Sequence, residues 1–480
     1  MSASDDGMSH SDGSMLEKDL EAGESSDDIS YGPQPCGSHG DGIEGAEIKN
    51  ETLVAGQANP TQGLGAPVYQ TESKSSSKDP GPPPDGGAVA WTQALMGHLI
   101  VFNTWGYINS YGVFQTYYVH ALGHPSSDIS WVGSVQIFLL FFIGTFSGRA
   151  TDAGLFRQTL ILGSVFQVVG LFMTSLATKY WQLFLAQGLC TGIGNGLVFC
   201  PSLSLLSTYF TKKRSLALGI AASGSATGGL VFPAIVQQLL PKIGFPWTIR
   251  VIGFVTLGIA IITSTLSKTR LPPRKSGPLV EWAAFKELPY SLFSVGTFLC
   301  FWGLYFAFYY VGSFARDVLE VSESDSISLL LIMNGVGLVG RLVPNYAADR
   351  LFGPLNTLIP FTFITGLMLY CWIAVRNVGG LTAFAIFYGL FAAGIQSLFP
   401  ATLSSLTTDL KKAGVRMGMV FSIVAFACLT GPPLAGALIE RRDGGYLYAQ
   451  VFAGSVLMGG CLILTGARLA QSGPKLRHKM

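Results

Sequence analysis

The chain has 480 residues, 49% of them hydrophobic and only 12% charged, about half the charged share of an ordinary soluble domain, which excludes a water-solvated globule as its main body. The formal net charge of +2 joins two unlike parts: residues 1 to 85 carry 16 acidic and 4 basic side chains, the remainder 12 acidic and 26 basic. The seven cysteines are scattered singly without a C-x-x-C pair, and His98, His120 and His124 are too spread to share a helical face, so no disulfide framework, metal site or cofactor is expected.

Residues 1 to 85 are rich in Ser, Gly, Asp and Glu and hold no apolar run. Such a segment cannot bury enough surface to offset the entropy of ordering, and it reads as a disordered acidic tail. It has no basic n-region followed by an apolar core, so the first apolar span is expected to direct the chain to the membrane.

From Ala88 onward, apolar stretches of about 20 residues or more alternate with short polar links, the length that crosses a hydrocarbon core of about 30 Å. The spans are placed at 91–117, 129–148, 158–177, 181–208, 215–240 and 247–267, then 291–314, 326–347, 356–376, 381–406, 415–438 and 446–468. This predicts an all-α membrane protein of twelve transmembrane helices: a six-helix bundle over 86–267, a linker over 268–290, a second six-helix bundle over 291–468 and a basic tail over 469–480.

Orientation follows from lysine and arginine, which resist translocation. Lys212, Lys213 and Arg214, then Lys268, Arg270, Arg274 and Lys275, then Lys411 and Lys412 fall on one side together with the basic tail. Both termini are therefore expected in the cytoplasm. The triplet Asn50-Glu51-Thr52 is then expected to be silent as a glycosylation acceptor, since it never meets the lumenal enzyme.

The halves resemble each other. Cys200-Pro201-Ser202-Leu203-Ser204 through Lys212-Lys213 recurs, with a one-residue gap, as Phe399-Pro400-Ala401-Thr402-Leu403-Ser404 through Lys411-Lys412, and Asp152 is matched by Asp349. The shared offset predicts a duplication, and paired six-helix repeats place a substrate site at their interface.

Between the second and third spans lies Gly148-Arg149-Ala150-Thr151-Asp152-Ala153-Gly154-Leu155-Phe156-Arg157. Its pattern G-x-x-x-D-x-G-x-x-R resembles the loop signature of the major facilitator superfamily, with a second copy at Asn345 to Arg350 in which Asn345 replaces the leading glycine. Glycine permits a tight turn, and the aspartate can accept bonds from a neighbouring helix N-terminus and pair with arginine. Gly148, Asp152, Gly154, Arg157, Asp349 and Arg350 are thus candidates for a latch that forms on one face and breaks as the halves rock.

Pro84-Asp85-Gly86-Gly87 through Trp91, and Tyr209 through Gly219 followed by Ser223-Gly224 and Gly228-Gly229, resemble the monocarboxylate porter family within that superfamily, and the long acidic tail resembles its fungal branch. The resemblance implies a carrier working by alternating access, with its first, fourth, seventh and tenth spans lining a cavity. In the proton-coupled lactate carriers of the family, the first span bears a lysine and the eighth an aspartate one turn before an arginine. Here those positions hold Asn109 and Gly337, and Arg341 alone remains, which argues against lactate-type symport.

Arg341, sitting inside an apolar run and unable to shed its charge, is the candidate anchor for an anionic group. Trp105 and Asn109 share one stripe, and Trp302, Tyr305 and Tyr309 another, suited to a conjugated or partly apolar ligand; Asn334 and Gln396 are further candidates. Gly335-Val336-Gly337-Leu338-Val339-Gly340 fits a dinucleotide fingerprint by letters only, since it lies within a span with no preceding strand, and reads as close helix packing.

The expected activity is transport of a small organic molecule, with export of a specialised metabolite ahead of uptake of a monocarboxylate or vitamin-like nutrient; a non-transporting receptor is the rival from another class. No catalytic cluster appears. The partners expected are the substrate and a lipid bilayer, without nucleic acid, and the chain is expected to work as a monomer in the plasma membrane or a vacuolar membrane.

Overall fold

A computed structural model describes residues 81–124, 126–274, 277–442 and 444–473, apart from a few side chains near 116–127 and at 323–324. Most of the acidic tail, with its Asn50 triplet, and the end of the basic tail lie outside the described residues. Among the described residues the elements are helices, with no strand.

Among the described residues ten helical runs are long and apolar enough to cross a membrane; adding the broken first run and dividing the longest at Gly244 gives twelve. We number them α1 (87–122), α2 (Asp128–Asp152), α3 (Phe156–Thr174), α4 (Tyr180–Tyr209), α5 (214–243), α6 (245–266), α7 (Leu288–Leu319), α8 (Asp325–Phe352), α9 (Pro354–Trp372), α10 (Val378–Ser405), α11 (Ala413–Glu440) and α12 (Leu447–Ser472). The ends are set by local chemistry. Asn377 caps α10 by accepting the N–H of Gly380, Ser322 accepts the N–H of Asp325 at the start of α8, and α9 opens on Pro354, all of which satisfy or avoid the unpaired donors of a first helical turn.

Two departures from a plain run of helices stand out. Arg214–Leu266 is two helices that follow each other without a loop, divided by a kink at Gly244, which sits at φ +72° between Pro241 and Pro246. Only glycine takes that conformation at little cost. The first crossing is not one α-helix: Phe102–Gly106 is a π-turn, and a further break follows at Ser110. Such bulges rotate the downstream face and commonly mark working sites.

The molecule has an apolar core and, unlike a soluble protein, an apolar surface as well. Leu95, Val165, Phe254, Ile261, Phe363 and Leu462 stand exposed on its surface, while Gln136, Thr174, Gln187, Thr362 and Thr365 are buried. That pattern suits lipid as the surrounding solvent. Without a hydrophobic drive between helices, close packing takes over, and glycine supplies it. A Cβ on Gly106 of α1 would lie 2.5 Å from the Cα of Gly228 on α5, and one on Gly196 of α4 would lie 2.5 Å from the carbonyl of Leu139 on α2. The glycines of 335–340 divide: Gly340 packs against the Leu390 backbone as expected, Gly335 faces open space, and Gly337 makes room for a side chain discussed below.

Candidate substrate site and gate

Where the halves meet, a narrow chamber is lined by Trp105 of α1, Phe141 of α2, Phe199 of α4, Phe301 and Tyr305 of α7, Arg341 of α8, Gln396 and Phe399 of α10 and Phe421 of α11, with Ser225 of α5 among its few polar groups. Trp105 comes from the π-turn of α1. Its ring lies near-parallel to that of Tyr305 across the halves, centroids 6.0 Å apart and planes at 11°, while Phe141 and Phe199 approach it at tilted or edge angles. A flat, polarisable lining of this kind favours a conjugated ligand.

Arg341 is 1% exposed. Its Nη2 donates to Gln396 Oε1 at 3.0 Å, whereas Nε and Nη1 have no hydrogen-bond partner. A buried guanidinium normally finds a carboxylate, yet among the described residues lining the chamber there is none. The guanidinium's position has a sequence cause: a Cβ on Gly337, one turn earlier, would lie 2.5 Å from Arg341 Nη1, so the position that is acidic in the lactate carriers here makes room for the tip of Arg341 and offers it no charge. The arrangement presents two N–H groups and a full charge to whatever enters.

A second, small cavity adjoins the chamber, sharing Tyr305, and is lined by Asn109, Tyr111, Gln115, Tyr309 and Asn334 among others. Asn109 Nδ2 reaches Asn334 Oδ1 and the carbonyl of Ser225, each at 3.4 Å, which ties α1 to α8 across the halves. Beyond it, sharing Gln115 and Tyr309, opens a wider polar cleft of about 380 Å³ bordered by Ser130, Ser134, Asp317, Glu440 and Tyr446. The three spaces follow one another between the halves, neighbours sharing lining residues.

At the end that carries the Lys212–Arg214 link the halves are in close contact. The backbones of α2 and α11 touch: a Cβ on Gly148 would lie 2.1 Å from the Gly414 carbonyl, and one on Gly418 would lie 2.3 Å from that of Gly144. Asp152 accepts the N–H groups of Gly414 at 3.0 Å and Val415 at 2.9 Å, at the start of α11. Asp349 accepts those of Ser215 at 3.0 Å and Leu216 at 2.7 Å, at the start of α5. Each aspartate thus caps a helix of the opposite half, where the helix dipole and the free N–H groups favour an anion. The duplicated aspartate and the duplicated proline-to-lysine segment are the two sides of one contact, made twice. Arg214 adds a bond from Nη1 to the Ser404 carbonyl at 2.9 Å.

The segment after α6 is tied into this seal. Arg274 N–H donates to the Asp152 carbonyl at 2.7 Å, and Arg149 Nε donates to the Gly277 carbonyl at 3.2 Å. Gly154, at φ +89°, faces Pro273. Further on, buried Glu281 pairs with Lys412 and Arg416, and Arg416 pairs with Glu287. The Asp85 motif has a similar use: its carboxylate accepts the N–H groups of Thr211 and Lys212, fastening the start of α1 to the α4–α5 turn.

The sequence-derived residues therefore separate. Trp105, Tyr305, Arg341 and Gln396 meet in the chamber, and Asn109, Tyr309 and Asn334 in the adjoining cavity. Gly148, Asp152, Gly154 and Asp349 meet at the seal. Arg157 and Arg350 are exposed, the latter over the Tyr346 ring. Trp302 borders neither cavity: it packs on Phe298 and edge-on against Phe452 of α12, because at its depth α7 is covered by α12 and by Gly431 of α11. The phenylalanines of the chamber and the Glu281 network escaped the sequence reading. The former look like any apolar residue in a span, and the latter depends on how the linker docks.

This difference is testable. Tyr305→Ala, which removes one wall of the aromatic pair, should weaken substrate binding roughly tenfold, whereas Trp302→Phe should leave it within about twofold, since its Nε1 is buried without a partner and nothing favourable is lost. Concentration dependence of transport reads both, and equal losses would put Trp302 back in the site.

Comparison with known proteins agrees with this architecture. Residues 95–375 match the family model described as Major Facilitator Superfamily. The chain is 47% identical over 399 residues, 83% of its length and 90% of the relative's, to an MFS-type transporter of Gibberella zeae. It is 36% identical over 391 residues, 81% of its length and 79% of the relative's, to the Aspyridones efflux protein apdF of Emericella nidulans. Among solved structures, the human organic anion transporter MFSD10 (TETRAN) superposes with a TM-score of 0.61 at 14% identity, covering 78% of this chain and 98% of that one. The chain belongs to the major facilitator superfamily. It is a multi-pass membrane transporter of small organic molecules.

Proposed function

We propose that this carrier exports a specialised fungal metabolite with a planar conjugated portion and one anionic group, working by alternating access as a monomer and without enzyme chemistry. The observation that carries the reading is Arg341, buried, only partly bonded and set among aromatic faces. The efflux assignment in the name of the Emericella nidulans relative supports the direction. The motifs of the monocarboxylate porter family support the branch, with the aspartate and lysine of its lactate carriers replaced at Gly337 and Asn109. The basic links at the sealed end support cytoplasmic termini, and the plasma membrane is the residence this direction favours.

The test compares metabolite profiles of mycelium and medium from strains with the native gene, a deletion, and Arg341→Ala. Losing a charge-assisted hydrogen-bond pair costs about 1.5–3 kcal/mol, or roughly 10- to 100-fold in affinity. The deletion should shift one acidic, conjugated metabolite from medium to cells, and Arg341→Ala should do the same while reaching the membrane normally. An unchanged profile on deletion, or full rescue by Arg341→Ala, would sink the proposal.

A further inference from the structure

We infer that the segment 279–288 rests on the membrane: Leu279, Trp282 and Leu288 dock in the lipid headgroup layer at the sealed end, and the bilayer thereby supports the clamp that this segment makes on α11. The inference is independent of what the chamber binds.

The segment has two unlike sides. Inward, Glu281 is 8% exposed and pairs with Lys412 and Arg416, Ala284 is fully buried, and Phe285 lies against Tyr290 with ring centroids 5.5 Å apart. Outward, Leu279 is 42%, Leu288 59% and Trp282 74% exposed. A short helical turn, Trp282–Lys286, thus grips the second half with one side and holds out an indole with the other.

Two observations say what covers the outward side. The apolar face runs on without a break into α7, where Leu288, Leu292, Val295 and Leu299 share one helical stripe and Leu288 and Val295 are more than half exposed. That stripe belongs to the apolar surface that suits lipid. The second observation is the placing of tryptophan. Trp131, Trp181 and Trp247 are exposed and stand near the starts of α2, α4 and α6, at the end remote from the seal. Tryptophan collects at both membrane–water boundaries, where its ring meets acyl chains and its N–H meets water. Among the described residues Trp282 is the exposed tryptophan of the sealed end, the counterpart of that belt. Exposed Lys286 in the same turn adds attraction for anionic headgroups. The clamp lies next to the seal, because Lys412 and Arg416 flank Gly414 and Val415, whose N–H groups Asp152 accepts. A Trp282 kept in the headgroup layer therefore keeps Glu281 at the start of α11.

The test places a nitroxide on Trp282→Cys, and separately on Leu288→Cys, in the full chain with Cys36, Cys190 and Cys371 replaced by Ser, in proteoliposomes of phosphatidylcholine and phosphatidylserine. Oxygen, which concentrates in lipid, should relax both labels several-fold more than an aqueous nickel chelate does. The second arm measures alkylation of Cys200, buried against Gly144 and Gly148, by a membrane-impermeant maleimide. Trp282→Glu, an exposed position where folding is not at stake, should raise it severalfold, and Trp282→Phe should leave it at the wild-type rate. A label at 282 relaxed mainly by the chelate would overturn the docking; if native membranes then shielded it from both reagents, a protein partner covers this face instead. A label in lipid with Cys200 unchanged by Trp282→Glu would overturn the support of the seal.

Discussion

Gly148→Val should unseal the carrier and abolish turnover. In the sealed state a Cβ at this position lies 2.1 Å from the Gly414 carbonyl and 3.4 Å from Cys200 Sγ, and the first of these neighbours is backbone that has no rotamer to give. Overpacking of this kind costs roughly 3 kcal/mol or more when the backbone must move, which corresponds to a shift of at least about 100-fold against the sealed conformation. Cys200 is a built-in reporter, because it is fully buried between α2 and α11 and faces the space that opens when they part. Its alkylation by a membrane-impermeant maleimide, followed by mass spectrometry to separate it from exposed Cys371, should accelerate by about that factor, with export falling below about a tenth of wild type. If alkylation and export both match the wild type, the α2–α11 contact is not the gate.

The second large effect is expected from the paired aspartates. Each accepts two backbone N–H groups of a helix start in the other half, and losing a cap costs about 0.5–2 kcal/mol, towards the upper end when the acceptor is ionised and partly buried. The sites lie on opposite sides of the seal and share no partner, so their losses should add. Asp152→Ala with Asp349→Ala should then raise Cys200 alkylation roughly 30- to 1,000-fold, each single change giving about the square root of the combined factor. Asp152→Asn keeps an acceptor without the charge and should fall between. A double variant no more reactive than either single one would show that one cap alone holds the seal.

Much of this architecture was legible in the sequence because a bilayer imposes one length on every crossing. Some observed helices overrun the predicted spans at polar ends, as at the start of Ser126–Phe142 and the end of Leu288–Leu319. The seal was half legible. The aspartate and its acceptor role followed from chemistry, but the identity of the donor helices required the halves to be brought together. The duplication contained that answer, since it repeated both the aspartate and the segment leading to the helix start.

The chamber was read less completely. Arg341 declared itself as a charge inside an apolar run, but the room that Gly337 leaves for its guanidinium tip is a statement about space, which letters do not carry. Trp302 was assigned to the cavity because helical periodicity fixes a direction around the axis and says nothing of which neighbour covers that direction at a given depth. The π-turn that presents Trp105 is equally silent, since Phe102–Gly106 has no composition that distinguishes it from an α-helical turn.

The strap between the halves sets a limit of reach. At Gly277 the backbone is bound to Arg149 of the first half, and at Glu281 the side chain is bound to Lys412 and Arg416 of the second. Four residue steps extend no farther than about 14 Å. As long as both fastenings hold, those two points on the halves cannot part by more than that length plus the side chains that grip them. The amplitude of opening at this end is thus bounded by the contour length of a peptide, and any wider state must first break an ion pair or a backbone bond.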